Sequence, residues 1–215
     1  MVKDFYKLAI ILILLLQSSG FPQFWEYQVS GTTQHLNGVY ILDTQTGWIC
    51  GNAGTLLKTI NGGQNWTQVT ATANDLNSII FKDAVTGVAV GDNGTIIRTI
   101  NSGTNWSVVA SGTTEQFRKV SSGSGNTFFA AGDNGLISVS TDNGATWSLK
   151  NAGTTLRFRG TATTASNKVW IVGENGVIKY STDGGNNWSN QTSGITNNDI
   201  NDIQFVNENI GFAGA

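Results

Sequence analysis

The chain has 215 residues, a formal net charge of -2, 27 glycines, one proline and only 12% charged residues. That length allows one or two domains with a sizeable core, and the lack of a dense basic face argues against a nucleic-acid partner. The single cysteine, Cys50, excludes an intrachain disulfide and any multi-cysteine metal site.

The N-terminus differs from the rest. Lys3 and Lys7 precede an apolar run at residues 8–16, followed by the small residues Ser18 and Gly20. Residues 1–20 therefore read as a secretory signal peptide. The run falls short of the roughly 20 residues that span a bilayer. A mature chain beginning near Phe21 is expected to work outside the cytoplasm, periplasmic or secreted, with no membrane span. Residues 24–29, around Trp25, repeat a phrase that recurs around Trp66. They are expected to form an outer strand that seals a closed ring, with residues 21–215 making one repeat domain.

The dominant signal is a period. Trp66, Trp106, Trp147 and Trp188 follow one another at steps of 40 or 41 residues, and Gly51, Gly91, Gly132, Gly173 and Gly214 keep the same step. Each period holds four short apolar runs bounded by Gly, Asn, Asp or Ser; in the second they are 76–81, 87–91, 95–100 and 105–109. Four strands per period of about 40 residues predict an all-β chain, a β-propeller of four-stranded blades. Four full blades plus part of a fifth are expected, from a ring of six or seven. The first run of each blade should line the central channel, anchored by Leu36, Leu76, Phe117, Phe158 and Ile200. Turns such as GDNG at 91–94 should link second to third strands, with Asn-Gly supplying positive φ. Cys50 lies in the apolar run GWICG and reads as a buried, inert thiol.

Third strands run into a repeated turn, Ser/Thr-x-Asp/Asn-x-Gly-x-x-Trp. Its members are Asn61, Gly63 and Trp66; Asn101, Gly103 and Trp106; Asp142, Gly144 and Trp147; Asp183, Gly185 and Trp188. The Asp or Asn oxygen can accept backbone N–H bonds in the turn, the Gly permits a left-handed backbone, and the Trp buries its ring. Two of the four copies carry Asn, which cannot act as an acid or base, so the turn is expected to be structural. The Asn-x-Ser/Thr sequons at Asn65, Asn105 and Asn187 are by-products of it.

This turn is the Asp box, or bacterial neuraminidase repeat. The fuller pattern, best seen from Gly47 to Trp66 and from Gly87 to Trp106, resembles the photosystem II stability and assembly factor family. The resemblance covers roughly residues 25–215. It implies a seven-bladed Asp-box propeller that is not an enzyme and binds other proteins during complex assembly outside the cytoplasm.

A partner is expected at one rim of the channel. The residue after each inner-strand anchor is Asn37, Asn77, Arg118, Arg159 and Asn201. Arg118 and Arg159 would stand side by side on adjacent blades, with Arg157 and Lys119 nearby and Asp92, Asp133 and Glu174 farther out. Paired arginines suit a carboxylate, so a protein or acidic peptide is the expected partner. The assigned site is Arg118, Arg159, Arg157, Asn77 and Asn201, with no catalytic residue, metal ligand or cofactor. Two alternatives stand beside it. A sialidase-like or other Asp-box glycoside hydrolase would need an arginine triad or paired acids; Asp75, Glu115 and Asp199 are the loop candidates. A glycan-binding module would need exposed loop aromatics.

Overall fold

The computed structural model describes residues 27–164, 168–195 and 197–215. The expected signal peptide, and residues 24–26 of the expected sealing strand, lie outside them. Four antiparallel four-stranded sheets follow one another, each laid out in chain order. The first holds β1 (Leu36–Ile41), β2 (Gly47–Gly51), β3 (Leu56–Thr59) and β4 (Thr67–Gln68). The second holds β5 (Leu76–Phe81), β6 (Gly87–Gly91), β7 (Ile96–Thr99) and β8 (Ser107–Val109). The third holds β9 (Phe117–Ser122), β10 (Phe128–Gly132), β11 (Leu136–Ser140) and β12 (Ser148–Asn151). The fourth holds β13 (Phe158–Thr163), β14 (Val169–Gly173), β15 (Ile178–Ser181) and β16 (Ser189–Asn190). A two-stranded fifth sheet pairs β17 (Asp202–Phe205) with β18 (Gly211–Gly214). The propeller reading is borne out, and the runs of the second period match its strands closely.

The first strands stand side by side in the order β1, β5, β9, β13, β17 and line a concavity of about 590 Å³, the channel. The second strands β6, β10 and β14 are buried throughout, because each is covered by a blade on both sides. Hydrophobic burial between blades, about 1.5–3 kcal/mol per fully buried large side chain, holds the arc together. In the first seam Trp48, Cys50 and Leu56 meet Leu76, Ile79, Phe81, Ala89, Ile97 and Trp106 of the next blade. Phe81 stacks on Trp48 at 3.9 Å between centroids and meets Trp106 edge-on at 5.7 Å. Cys50 is fully buried, and burial pushes its thiol up to about 12, in line with the inert reading.

One expectation is corrected. Gly214 keeps the 41-residue step along the sequence but not the structural place of Gly51 and Gly173. Gly173 pairs with the anchor Phe158 and Val172 with Gly160, whereas Gly214 pairs with Asp202. The loop before β17 carries an extra residue, so Gly214 stands where Val172 stands in the fourth blade.

Of the expected sealing segment, residues 27–29 are described and form no strand. Gln28 lies on the first Asp-box turn instead, accepting from Trp66 Nε1 at 3.3 Å and donating to the Gly62 carbonyl at 3.4 Å.

Candidate functional site at the channel rim

The Asp boxes are built as expected and satisfy themselves within seven residues. In the first, Thr59 Oγ1 donates to Asn61 Oδ1 at 2.9 Å and accepts from Gly63 N at 2.9 Å, while Asn61 Oδ1 accepts from Asn65 N at 3.0 Å. Thr99 with Asn101, Ser140 with Asp142, and Ser181 with Asp183 repeat the arrangement. Asparagine serves because the turn uses a carbonyl-type acceptor, not a proton. Burial raises the Asp142 carboxyl, but the Thr146 hydroxyl and amide and the Ser140 hydroxyl outweigh it and bring it to about 2. The Asn187 amide and side chain, with Ser181, hold Asp183 at about 2 as well.

A group whose carboxyl is lowered on folding lends stability above its unfolded value, near 3.9, and loses it as pH falls towards the folded value. The Asp142→Asn/Asp183→Asn variant copies the first two boxes. Its urea midpoint is expected to fall less steeply between pH 5 and pH 2.5 than that of the parent chain. Parallel slopes would mean that these carboxylates do not carry the acid sensitivity.

The rim is placed by a feature that periodicity does not show. The inner strands of the first four blades each bulge one residue after the anchor. Leu36 pairs with Gly51 and Gly38 with Cys50, skipping Asn37. Asn77, Arg118 and Arg159 are skipped in the same way. A bulge re-aims the extra side chain, here onto one face of the arc. The face is shared with the turns after the second strands, since Asp92 N, Asp133 N and Glu174 N each donate to a carbonyl in the loop preceding their own inner strand.

The first three bulged residues reach the turn 15 positions later. Asn37 Nδ2 donates to Asn52 Oδ1 at 2.8 Å and to the Leu76 carbonyl of the next blade at 3.0 Å. Asn77 Nδ2 donates to Asp92 Oδ1 at 2.8 Å and to the Phe117 carbonyl at 2.9 Å. Arg118 makes a two-point ion pair with Asp133. Arg157 reaches back from the fourth blade to the same carboxylate at 3.0 Å and also pairs with Glu174 at 3.4 Å. Burial raises the Asp133 carboxyl, but Arg118 and then Arg157 outweigh it, so the group is held below the usual range.

Arg159 departs from the pattern and pairs with Asp199 at 2.6 Å, leaving its Nε buried without a partner. Lys119 on β9 reaches past β13 to Asp202 on β17 at 2.9 Å. Asn201 stands exposed just before β17. Arg118 and Arg159 occupy the same register position in adjacent blades, and Arg118, Arg157 and Arg159 each already hold a carboxylate. The loop acids are committed too. Asp75 accepts from Ala53 N at 2.7 Å, Glu115 from Asn134 Nδ2 at 2.7 Å, and Asp199 from Asn175 N at 3.1 Å besides Arg159. Among the described residues no cluster of His, Cys, Asp and Glu could hold a metal, and no helix is long and apolar enough to cross a membrane.

Blades of this build, closed by self-contained turns, define an Asp-box β-propeller. Residues 19–114 match the family described as photosynthesis system II assembly factor YCF48, so the resemblance read from the repeat is borne out over that stretch. A search of the curated proteins returns no significant match. Among solved structures, the chain is similar to YCF48 bound to D1 peptide, at 22% identity and a TM-score of 0.66 over 87% of this chain and 62% of that one. It is similar to YCF48 from Cyanidioschyzon merolae, at 18% identity and a TM-score of 0.61 over 81% and 61%. The GH74 enzyme of Niastella koreensis aligns at 17% identity and a TM-score of 0.64 over 79% and 33%. At these identities the likeness is one of fold. The chain spans 62% and 61% of the two YCF48 chains.

Proposed function

We propose that the chain is a non-catalytic, polypeptide-binding propeller serving the assembly of a larger protein complex, and that the leader expected at residues 1–20 directs it out of the cytoplasm. The observation that supports this reading is the pair of bulges that carry Arg118 and Arg159 at the same register position of adjacent blades, with Arg157 sharing the Asp133 carboxylate with Arg118; Asn77 and Asn201 belong to the same proposed rim. A guanidinium has five N–H donors, and the ion pairs use only some of them. Asp133 and Asp199 fix the guanidinium planes before any ligand arrives, which lowers the ordering cost of binding. An acidic segment would share these arginines with the resident carboxylates.

The family match over residues 19–114 and the likeness to a propeller solved with a D1 peptide support a polypeptide partner. The commitment of Asp75, Glu115 and Asp199 to loop bonds, and the low carboxyls of Asp142 and Asp183, favour binding over acid–base chemistry, which needs a group poised near the working pH. The test is fluorescence anisotropy with the D1 peptide as probe. Saturable binding is expected, weakened about tenfold or more by Arg118→Glu with Arg159→Glu, the loss of one or two charge-assisted bonds. Undiminished binding by the variant would move the site off the rim. No binding by the parent chain would refute a D1-like partner.

A further inference from the structure

Lys179 lies on β15, paired with Ile171 on one side and Asn190 on the other. The same register position holds Leu57 opposite Ile49, Ile97 opposite Ala89, and Ser138 opposite Ala130. The fold therefore asks for an apolar or small residue here, and blade four alone supplies a cation. Lys179 is only 6% exposed. Among the described residues its ammonium has no hydrogen bond or ion pair. Its stem is packed in the core while its ammonium, not itself a buried atom, reaches an opening, and no partner within the described residues accounts for a cation at this position.

The ammonium is not walled in. Lys179 lines a groove of about 390 Å³ with Thr154, Asn175, Asn190, Thr192 and Ser193. No carboxylate lines that groove, in contrast to the rim, where every arginine carries one. Asn190, the last residue of β16, and the segment 191–195 that follows it form one wall of the groove, and backbone along that wall can meet an extended ligand.

From these features we propose that the groove is a second binding site, taking a carboxylate carried by an extended polypeptide. The acid pairs with Lys179, the Thr154 hydroxyl and the Asn190 side-chain amide complete its hydrogen bonds, and the ligand backbone lies along the wall formed by residues 190–195. The site shares the turn after β14 with the rim face, through Asn175 and Gly176, but uses none of the rim arginines and does not depend on the rim reading.

The test uses the ¹⁵N-labelled full chain and follows the amides of Gly153, Asn190 and Ser193. Probes are an acetyl-capped peptide with one central glutamate, its glutamine analogue, acetate and inorganic phosphate. The glutamate peptide is expected to shift these amides with a midpoint at least about tenfold below those of the other three. Lys179→Leu should abolish the shifts and raise the melting temperature, since it restores the residue type of the first blade. Arg118→Glu should leave the shifts unchanged, separating this site from the rim. Acetate or phosphate binding as well as the peptide would overturn the polypeptide ligand. Absent shifts, or a Lys179→Leu chain that melts lower, would overturn the site.

Discussion

Phe81→Ala is expected to destabilise the chain by about 3–5 kcal/mol, the cost of emptying a large aromatic site in a packed core. Phe81 is 2% exposed and sits where three rings meet, on Trp48, edge-on to Trp106 and 5.6 Å from Tyr40. Aromatic pairs of this kind add about 0.5–1.5 kcal/mol beyond burial. The seam cannot close over the gap, because the backbones on either side are set by their own sheets. Phe81→Leu refills most of the volume and should recover more than half of the loss. Urea unfolding of the two variants measures the difference; equal losses would mean that the ring geometry matters and volume does not.

Gly94→Ala should cost about 3 kcal/mol or more. Two effects combine there. The backbone is left-handed, with φ of +64°, which costs a non-glycine residue about 1–2 kcal/mol. An added Cβ would also strike the Thr113 carbonyl, a backbone atom of the next connection that cannot swing aside. Gly125 separates the two effects. Its φ is +61° with nothing within 4 Å of an added Cβ, so Gly125→Ala should show the conformational cost alone. Similar midpoints for both variants in urea would mean that the clash relaxes without cost.

The blades were legible in the sequence because each strand is a short apolar run closed by Gly, Asn or Asp, and because the phrase is said four times. The Asp box was legible down to its acceptor, since Asn61 and Asn101 in the acid's place disqualify a proton-transfer role. The rim was half legible. Counting one residue on from Phe117 and Phe158 finds Arg118 and Arg159, but the bulge that turns them outward is a property of strand pairing, and pairing is not written in either strand alone. Their carboxylate partners were missed for a related reason. Asp133 serves Arg118 of its own blade and Arg157 of the next, and Lys119 meets Asp202 from 83 positions away. A usable signal did exist, the constant offset from Asn37 to Asn52, Asn77 to Asp92 and Arg118 to Asp133. Lys179 was hidden because its meaning lies in the comparison with Leu57 and Ile97, which requires the third strands to be aligned by their pairing.

The change from asparagine to arginine along the bulges gives the arc two kinds of joint. Asn37 and Asn77 tie the first three blades to one another with neutral amides that reach the next blade's backbone. From the third blade onward the rim is tied by Arg157 to Asp133, Arg159 to Asp199 and Lys119 to Asp202. Added salt screens partly exposed charges and leaves amide bonds almost untouched. Raising ionic strength therefore loosens one half of the arc and spares the other, so the chain has a built-in soft end, and it is the end that holds the arginines.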